Sequence, residues 1–417
     1  MNNEGGLTAL TPAVVNGARR RYNVLFIAPT SFFSDYGHPV RILEEVLALQ
    51  KRGHRVTIVT YYNGRDIAGL SIERTLPIPW RQHYEVGSSR HKIAFDALLS
   101  LKSLTVGLRL RPDVIHAHIH EGALIGYFLS RLLRVPLVFD FQGSLTSEMV
   151  DHRFLKPNGL AYCFFRWLEE KINRVPDAIL TSSRYASDLL RNEFHCSPAK
   201  IHPLPDCVNA DTFWPDVLTP GEAEALRAEW HIRPGARVVV YLGLLADYQG
   251  TRLLVDAIHK LVRGEGREDL HFLIMGYPGV QGYQAYAQAL GLSDYVTFTG
   301  RVPYEEAPKM LALGDVAVAP KISTTEGSGK VLNYMAMALP TVAFDTPVHR
   351  EYLGESGIYA ERGRADALAG ALSWVLDHES QGREIGAQLR ERVQTLFSWD
   401  HAGRLIEKVY DHVCLSP

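Results

Sequence analysis

The chain has 417 residues, a length that predicts two or three domains and not one compact module. Hydrophobic residues make up 46%, charged residues 22%, and the formal net charge is −2, so the composition is globular and excludes a disordered, fibrous or broadly nucleic-acid-binding chain. The four cysteines (Cys163, Cys196, Cys207, Cys414) show no CxxC spacing, which predicts reduced thiols in a cytoplasmic protein. No run approaches the roughly 18 consecutive apolar residues of a membrane span. The segment Leu7 to Val15 is followed, not preceded, by Arg19, Arg20 and Arg21, the reverse of a signal peptide.

The first strong element is the apolar run Tyr22 to Pro29, the pattern of a buried parallel strand. Gly37 precedes a helical period over Pro39 to Arg52, Gly53 stops it, and Val56 to Thr60 resumes a strand. The alternation continues: helix Lys92 to Leu110, strand Val114 to His118, helix Ala123 to Leu133, strand Leu137 to Phe141, helix Leu160 to Asn173, strand Ala178 to Thr181. Irregular text with Pro203, Pro205 and Pro215 then predicts a domain edge over Ile201 to Pro215. A second series follows. Its strands are Val238 to Gly243, Phe272 to Met275, Val296 to Thr299, Val316 to Ala319 and Thr341 to Phe344; the helices between them run over Thr251 to Val262, Tyr283 to Leu290, Tyr304 to Leu313 and Lys330 to Met337. Two doubly wound α/β domains in tandem are expected to bind ligands outside the carboxyl ends of their strands, in a cleft where they face each other.

Thr325-Glu-Gly-Ser-Gly-Lys330 lies between a predicted strand and a helix, which puts glycines and free backbone N–H groups at a helix N-terminus, an arrangement that favours an anion. Glu326 at that lip is placed to accept hydrogen bonds from sugar hydroxyls, with Lys330 one turn inside. The alternative is that Glu326 and Ser328 only cap the helix. Val331 follows Gly329-Lys330 where a Walker loop needs Ser or Thr, so this is not a Walker loop. In the run Asp113 to Gly122, a strand's period of two places His116, His118 and His120 on one face. The sequence shows no partner cluster for a metal, so the favoured reading has one or two of these imidazoles facing the cleft and His116 in the core. Gly37, the third candidate, offers another helix N-terminus where phosphate or sugar could approach the backbone. The segment from Arg90 to Arg111 mixes five basic residues with an apolar face, the pattern of a helix lying on an anionic membrane or of an ordinary amphipathic helix.

From about Arg21 onward the chain resembles the retaining family 4 glycosyltransferases of the GT-B fold. The resemblance rests on Asp113 to His118, Ala178 to Ser183, Val208 to Pro215, Tyr241-Leu-Gly243, Phe298 to Val302, Glu326 to Pro340, and Phe397-Ser-Trp-Asp400. It implies two Rossmann-like parallel-sheet domains, about 21–210 on the acceptor side and 211–400 on the donor side, after an N-terminal extension over 1–20. A last helix, about 401–417, would cross back onto the first domain. It also implies metal-independent transfer of a sugar, with retention, from an activated donor such as a nucleotide diphosphate sugar to a hydroxyl acceptor, without a cofactor, in glycan, glycolipid or cell-envelope polysaccharide synthesis. By the same resemblance Glu326 would hold donor hydroxyls, and the backbone of Gly327, Ser328 and Gly329 would meet its phosphate or sugar. Val302, beside Arg301, would hold the base, His118 would contact the reacting sugar, and Gly37 would border the phosphate.

Three departures stand out. After Gly243 the family's Arg and Lys are replaced by Leu244 and Gln249, which removes two charge-assisted contacts worth about 1.5 to 3 kcal/mol each. The later ribose-binding Glu is Asn333, and Asp206-Cys207 stands where Asn-Gly is common. Arg252, Arg301, Lys321 and Lys330 are the candidates to restore the charge. If none does, the alternatives are a non-catalytic sugar-nucleotide or glycan-binding protein, or a transferase with an unusual phospho-sugar donor.

Overall fold

A computed structural model describes residues 20–35, 37–78, 92–151, 154–324 and 327–415. The first unit runs β1 (Asn23–Ala28), α1 (Gly37–Lys51), β2 (Arg55–Thr60), β3 (Ser71–Arg74), α2 (Lys92–Leu110), β4 (Val114–His118), α3 (Ile119–Leu133), β5 (Leu137–Phe141), α4 (Leu145–Asp151), α5 (Leu160–Arg174), β6 (Ala178–Thr181), α6 (Arg184–Asn192) and β7 (Ile201–Pro203). The second runs α7 (Pro220–Glu229), β8 (Arg237–Leu242), α8 (Thr251–His259), β9 (Leu270–Met275), α9 (Val280–Ala289), β10 (Val296–Gly300), α10 (Ala307–Leu311), β11 (Val316–Ala319), α11 (Gly329–Ala336), β12 (Thr341–Phe344), α12 (Pro347–Leu353), β13 (Ile358–Ala360), α13 (Ala365–Asp377) and α14 (Glu379–Leu396). The last described helix is α15 (Trp399–Leu415).

Each unit is a parallel sheet with helices on both faces. The seven-stranded order is β3-β2-β1-β4-β5-β6-β7 and the six-stranded order β10-β9-β8-β11-β12-β13. Both orders reverse direction beside the first strand of the unit, between β1 and β4 and between β8 and β11, and such switch points open crevices for ligands. Register is set by burial: Val24 pairs with Val56 on one side and Val114 on the other, and all three are buried. In β1 every residue after Asn23 is buried, as a central parallel strand requires.

On one sheet face of the first unit α1 packs with α15; on the other, α3 lies between α2 and α5. Thus α15, although last in sequence, belongs to the first unit's core through Trp399, Ile406 and Tyr410. The chain crosses between units twice, and the crossings meet where the Val208 N–H donates to the Phe397 carbonyl at 2.9 Å.

The basic side of α2 is not a free cationic stripe. Lys92 pairs with Glu121 at 2.6 Å, Lys102 with Glu73 at 2.7 Å, and Arg109 also bonds Glu73. These three side chains are tied into ion pairs of their own domain, Arg111 beyond the helix is exposed, and residues 90 and 91 lie outside the described set.

Candidate functional site in the cleft between the two sheets

A cleft of about 330 Å³ runs between the carboxyl ends of both sheets. Its first-unit wall includes Gly37, His38, Arg41, Lys92, His120 and Glu121; its second-unit wall includes Gly243, Leu244, Gln249, Val302, Lys321 and the turn into α11.

The second-unit wall is built from two loops brought together by backbone geometry. Gly243, at φ +152°, ends β8 in a conformation that only glycine adopts without strain, and a Cβ there would stand 2.6 Å from the Lys330 Nζ. Lys330, in the first turn of α11, donates to the Gln249 Oε1 at 2.9 Å and to the Tyr241 hydroxyl at 3.2 Å, with its ammonium 4.5 Å from the centre of the Tyr241 ring. A positive charge therefore stands beside the two positions, Leu244 and Gln249, where the sequence lacks one. Lys321 is buried and donates to the Gly327 carbonyl at 2.7 Å, adding a second cation behind the same turn. Of the other candidates, Arg252 stacks on Tyr286 and does not line the cleft. Arg301 bonds the Asp35 carboxylate across the domain gap, with its Nε at 3.1 Å, so it ties the units together, while Val302 next to it lines the cleft.

The turn Gly327-Ser328-Gly329 lines the cleft with Asn333. The Ser328 hydroxyl meets His349 Nε2 at 3.1 Å, and His349 Nδ1 lies 2.7 Å from the Phe344 carbonyl. A carbonyl only accepts, so Nδ1 carries the proton and Nε2 accepts from Ser328. Burial is the main cause that lowers the His349 pKa, to about 4, with the Phe344 bond opposing it and Lys321 and Lys330 adding to it. Gly327 leaves room for Asp206: a Cβ would fall 2.2 Å from the Asp206 Oδ2. Glu326 and Thr325 lie outside the described residues.

On the first-unit wall the organising residue is Arg41, which the periodicity of α1 hid among its apolar neighbours. Its guanidinium is buried and reaches Asp140 through Nε at 3.0 Å and Nη2 at 2.9 Å, Asp206 through Nη1 at 2.9 Å, and the Leu204 carbonyl at 3.1 Å. Burial pushes the Asp140 carboxyl up, but the Arg41 charge and the His118 bond outweigh it and hold it well below the usual range. Glu45, one turn along from Arg41, is raised well above its ordinary value by burial and by the Asp140 charge, against the pull of Arg41. Asp206 also accepts from the Tyr352 hydroxyl at 3.0 Å, which links this network to the second unit.

His118 is part of this network and not of the cleft wall. Its ring is fully buried, stacked on His116 with centroids 4.8 Å apart, with Nδ1 3.1 Å from Asp140. The His118 ring, expected from the sequence to contact the reacting sugar, is not among the residues that line the cleft; Ile119, His120 and Glu121 form the wall at that point. Ile119 itself sits at φ +50°, a strained value for a β-branched residue, where β4 turns directly into α3. His116 is in the core, bonded through Nδ1 to the Tyr410 hydroxyl at 2.7 Å. The fold does supply a partner the sequence could not show: ligand atoms of Glu45, His116 and His118 all lie within 4.8 Å of one another. The Arg41 Nε stands 3.0 Å from the Glu45 Oε1, however, and that fixed positive charge opposes a cation in the same place.

The chain matches two family models, "Glycosyl transferase 4-like domain" over residues 37–207 and "Glycosyl transferases group 1" over residues 236–378. The chain belongs to the family 4 glycosyltransferases. This transferase is 28% identical over 320 residues to the alpha-D-kanosaminyltransferase of Streptomyces kanamyceticus, across 74% of this chain and 80% of that one. It is 24% identical over 399 residues to the 2-deoxystreptamine glucosyltransferase of the same organism, across 90% and 98%. Among solved structures, the sucrose-phosphate synthase of Thermosynechococcus elongatus matches with a TM-score of 0.79 at 18% identity, over 95% of this chain and 100% of that one. Anabaena HepE, solved with UDP and glucose, matches with a TM-score of 0.75 at 15% identity, over 93% and 99%. These likenesses give the GT-B fold; the site of this transferase is read from its own residues. With a positive charge present beside Leu244 and Gln249, the non-catalytic alternative loses the observation that motivated it.

Proposed function

We propose that this transferase moves a sugar from a nucleotide diphosphate donor to a hydroxyl acceptor with retention at the anomeric carbon and without a metal or a cofactor. The observation that carries the reading is the position of Lys330 at the junction of the Gly243 loop and the α11 N-terminus. Its ammonium, Lys321 and the backbone N–H groups of Gly327, Ser328 and Gly329 form an electropositive seat for the diphosphate. Asn333 takes the ribose through its amide, the Val302 backbone takes the base, Glu326 takes donor hydroxyls, and Gly37 closes the phosphate side from the first unit. His118 serves as a positioning residue: with Arg41 it fixes Asp140, and so the wall at Ile119 and His120 against which the reacting sugar rests. The acceptor oxygen bonds to the anomeric carbon as the bond to the diphosphate oxygen breaks, and the departing phosphate takes the acceptor proton.

The relatives' names speak of cyclitol acceptors, 2-deoxystreptamine in one case and D-inositol 3-phosphate in another. We extend to this chain only a polyhydroxylated acceptor on the first unit, handled at the cytoplasmic face with peripheral membrane contact. Thermal-shift titration with UDP, GDP and ADP tests the donor class. Stabilisation that rises with the logarithm of concentration for one of them is the expected result. No stabilisation by any diphosphate, with stabilisation by a monophosphate-linked sugar, would move the reading to the unusual donor.

A further inference from the structure

The helical layer formed by α2, α3 and α5 carries a second apolar face that no part of the described chain covers. A soluble surface helix has one apolar stripe, turned to its sheet. Here α3 turns Ala123, Ile125 and Leu129 inward and still exposes Phe128 and Leu132, while α5 exposes Leu160, Phe164 and Trp167 at helical spacing. Leu160 is 93% exposed and Phe128 65%. On α2, which packs on α3, Leu101 is exposed as well. Single exposed apolar residues need no explanation, but a contiguous set with two aromatics on one helix does.

The charges around this patch say what it fits. Exposed Arg131 and Lys171 stand within the two ridges, and each lies near an aromatic ring of its own helix, Arg131 5.6 Å from Tyr127 and Lys171 6.0 Å from Trp167. Exposed Arg134 and Lys156 flank them. The acids of α3 and α5 are withdrawn: Glu121 pairs with Lys92, Glu169 is buried on Leu145 and Thr146, and Glu170 pairs with Arg174. A chain of net charge −2 thus presents a locally cationic, apolar and aromatic surface. Apolar side chains that enter the acyl boundary, beside cations that meet headgroups, are the two parts of an interfacial membrane site.

We propose that the outer face of α3 and α5, continued by α2, docks on an anionic lipid surface. The proposal gives the peripheral contact named above its location, on Phe128, Leu132, Leu160, Phe164 and Trp167 in place of the ion-paired basic side of α2. The same layer reaches the cleft: α4, packed on α5, contributes Leu145 and Glu148 to its wall. Docking here holds the acceptor end of the cleft next to the membrane.

The test is co-sedimentation of the full chain with phosphatidylcholine vesicles, with and without phosphatidylglycerol. Binding to the mixed vesicles and little to the neutral ones is expected. Phe164→Glu with Trp167→Glu should abolish it, and Arg131→Gln with Lys171→Gln should weaken it roughly thirtyfold, each cation being worth about a factor of five. All these side chains are exposed, so the variants should keep their melting temperature and their nucleotide-induced shift, which reports the donor site separately. Absence of binding to anionic vesicles, or binding that the variants leave unchanged, overturns the proposal. So does a dimer, seen by analytical ultracentrifugation, that Phe164→Glu dissociates while vesicle binding is absent. Any of these results leaves the transferase reading standing.

Discussion

The Lys330 ammonium lies 2.9 Å from the Gln249 amide oxygen, so the residue that replaces an expected cation is the one that orients another. The two positions are 81 residues apart, one in the connection after β8 and the other in the first turn of α11. Both side chains line the second-unit wall, so the positive charge missing at position 249 is supplied from α11 on the same wall.

Lys330→Met should therefore weaken donor binding with little loss of fold. A charge-assisted contact of about 1.5 to 3 kcal/mol corresponds to roughly ten- to a hundredfold in the donor Kd. Calorimetric titration with the stabilising nucleotide measures it. An unchanged Kd would remove Lys330 from the phosphate site.

Arg41 is a stability residue as much as a site residue. Its removal leaves Asp140 charged and buried and takes from Asp206 the guanidinium that pairs with it. Arg41→Met should cost about 3 to 5 kcal/mol in urea unfolding, the range for breaking a buried ion pair. A loss below about 1 kcal/mol would show that the carboxylates are neutral or hydrated without it.

Asp35 holds the two units against each other. Its carboxylate accepts from Arg65 at 2.7 Å and the Tyr304 N–H at 3.0 Å as well as bonding Arg301. Burial raises its pKa, but these three bonds bring it below its ordinary value. Asp35→Ala should open the cleft, raising the radius of gyration in small-angle scattering and weakening donor binding several-fold. The same radius in wild type and variant would contradict a clamp at this point.

His349 gives a pH dependence with a defined sign. Its folded pKa of about 4 lies below the ordinary 6.5, so the folded chain binds fewer protons than the unfolded one. The stability linked to this neutral ring is present above pH 6.5 and is lost as pH falls through about 4. The loss is on the order of 3 kcal/mol in total. Urea midpoints for wild type and His349→Gln across that window should diverge at high pH and converge at low pH. Parallel curves would contradict the assignment.

Much of the fold is legible in the sequence because its central strands are continuous apolar runs. Val114–His118, Leu137–Phe141, Ala178–Thr181, Val316–Ala319 and Thr341–Phe344 are strands with the predicted bounds. The edge strands Ser71–Arg74 and Ile201–Pro203 escape that reading, because half-exposed residues and a proline carry no apolar run. Helix α7 had a signal that the periodicity reading passed over: Thr219-Pro-Gly-Glu222 forms a full capping box, and Ser183 caps α6 by accepting from the Ala186 N–H. At the site, the glycine turn and Lys330 could be found from local spacing. Arg41 could not, since its partners Asp140 and Asp206 lie 99 and 165 residues away, and the same distance effect hid Glu45 behind His116 and His118. His120 shows the limit of a strand's period of two: β4 ends at His118, so His120 already belongs to α3 and leaves the row the period predicts.

In the proposed reading a donor diphosphate rests on Lys330 and the N-terminus of α11. A crystal structure of the protein with the nucleoside diphosphate that stabilises it most is the direct measurement. Phosphate oxygens are expected within hydrogen-bond distance of the Lys330 Nζ and of backbone N–H groups in Gly327-Ser328-Gly329. A nucleotide seated elsewhere, with no phosphate oxygen near the Lys330 Nζ, would contradict it.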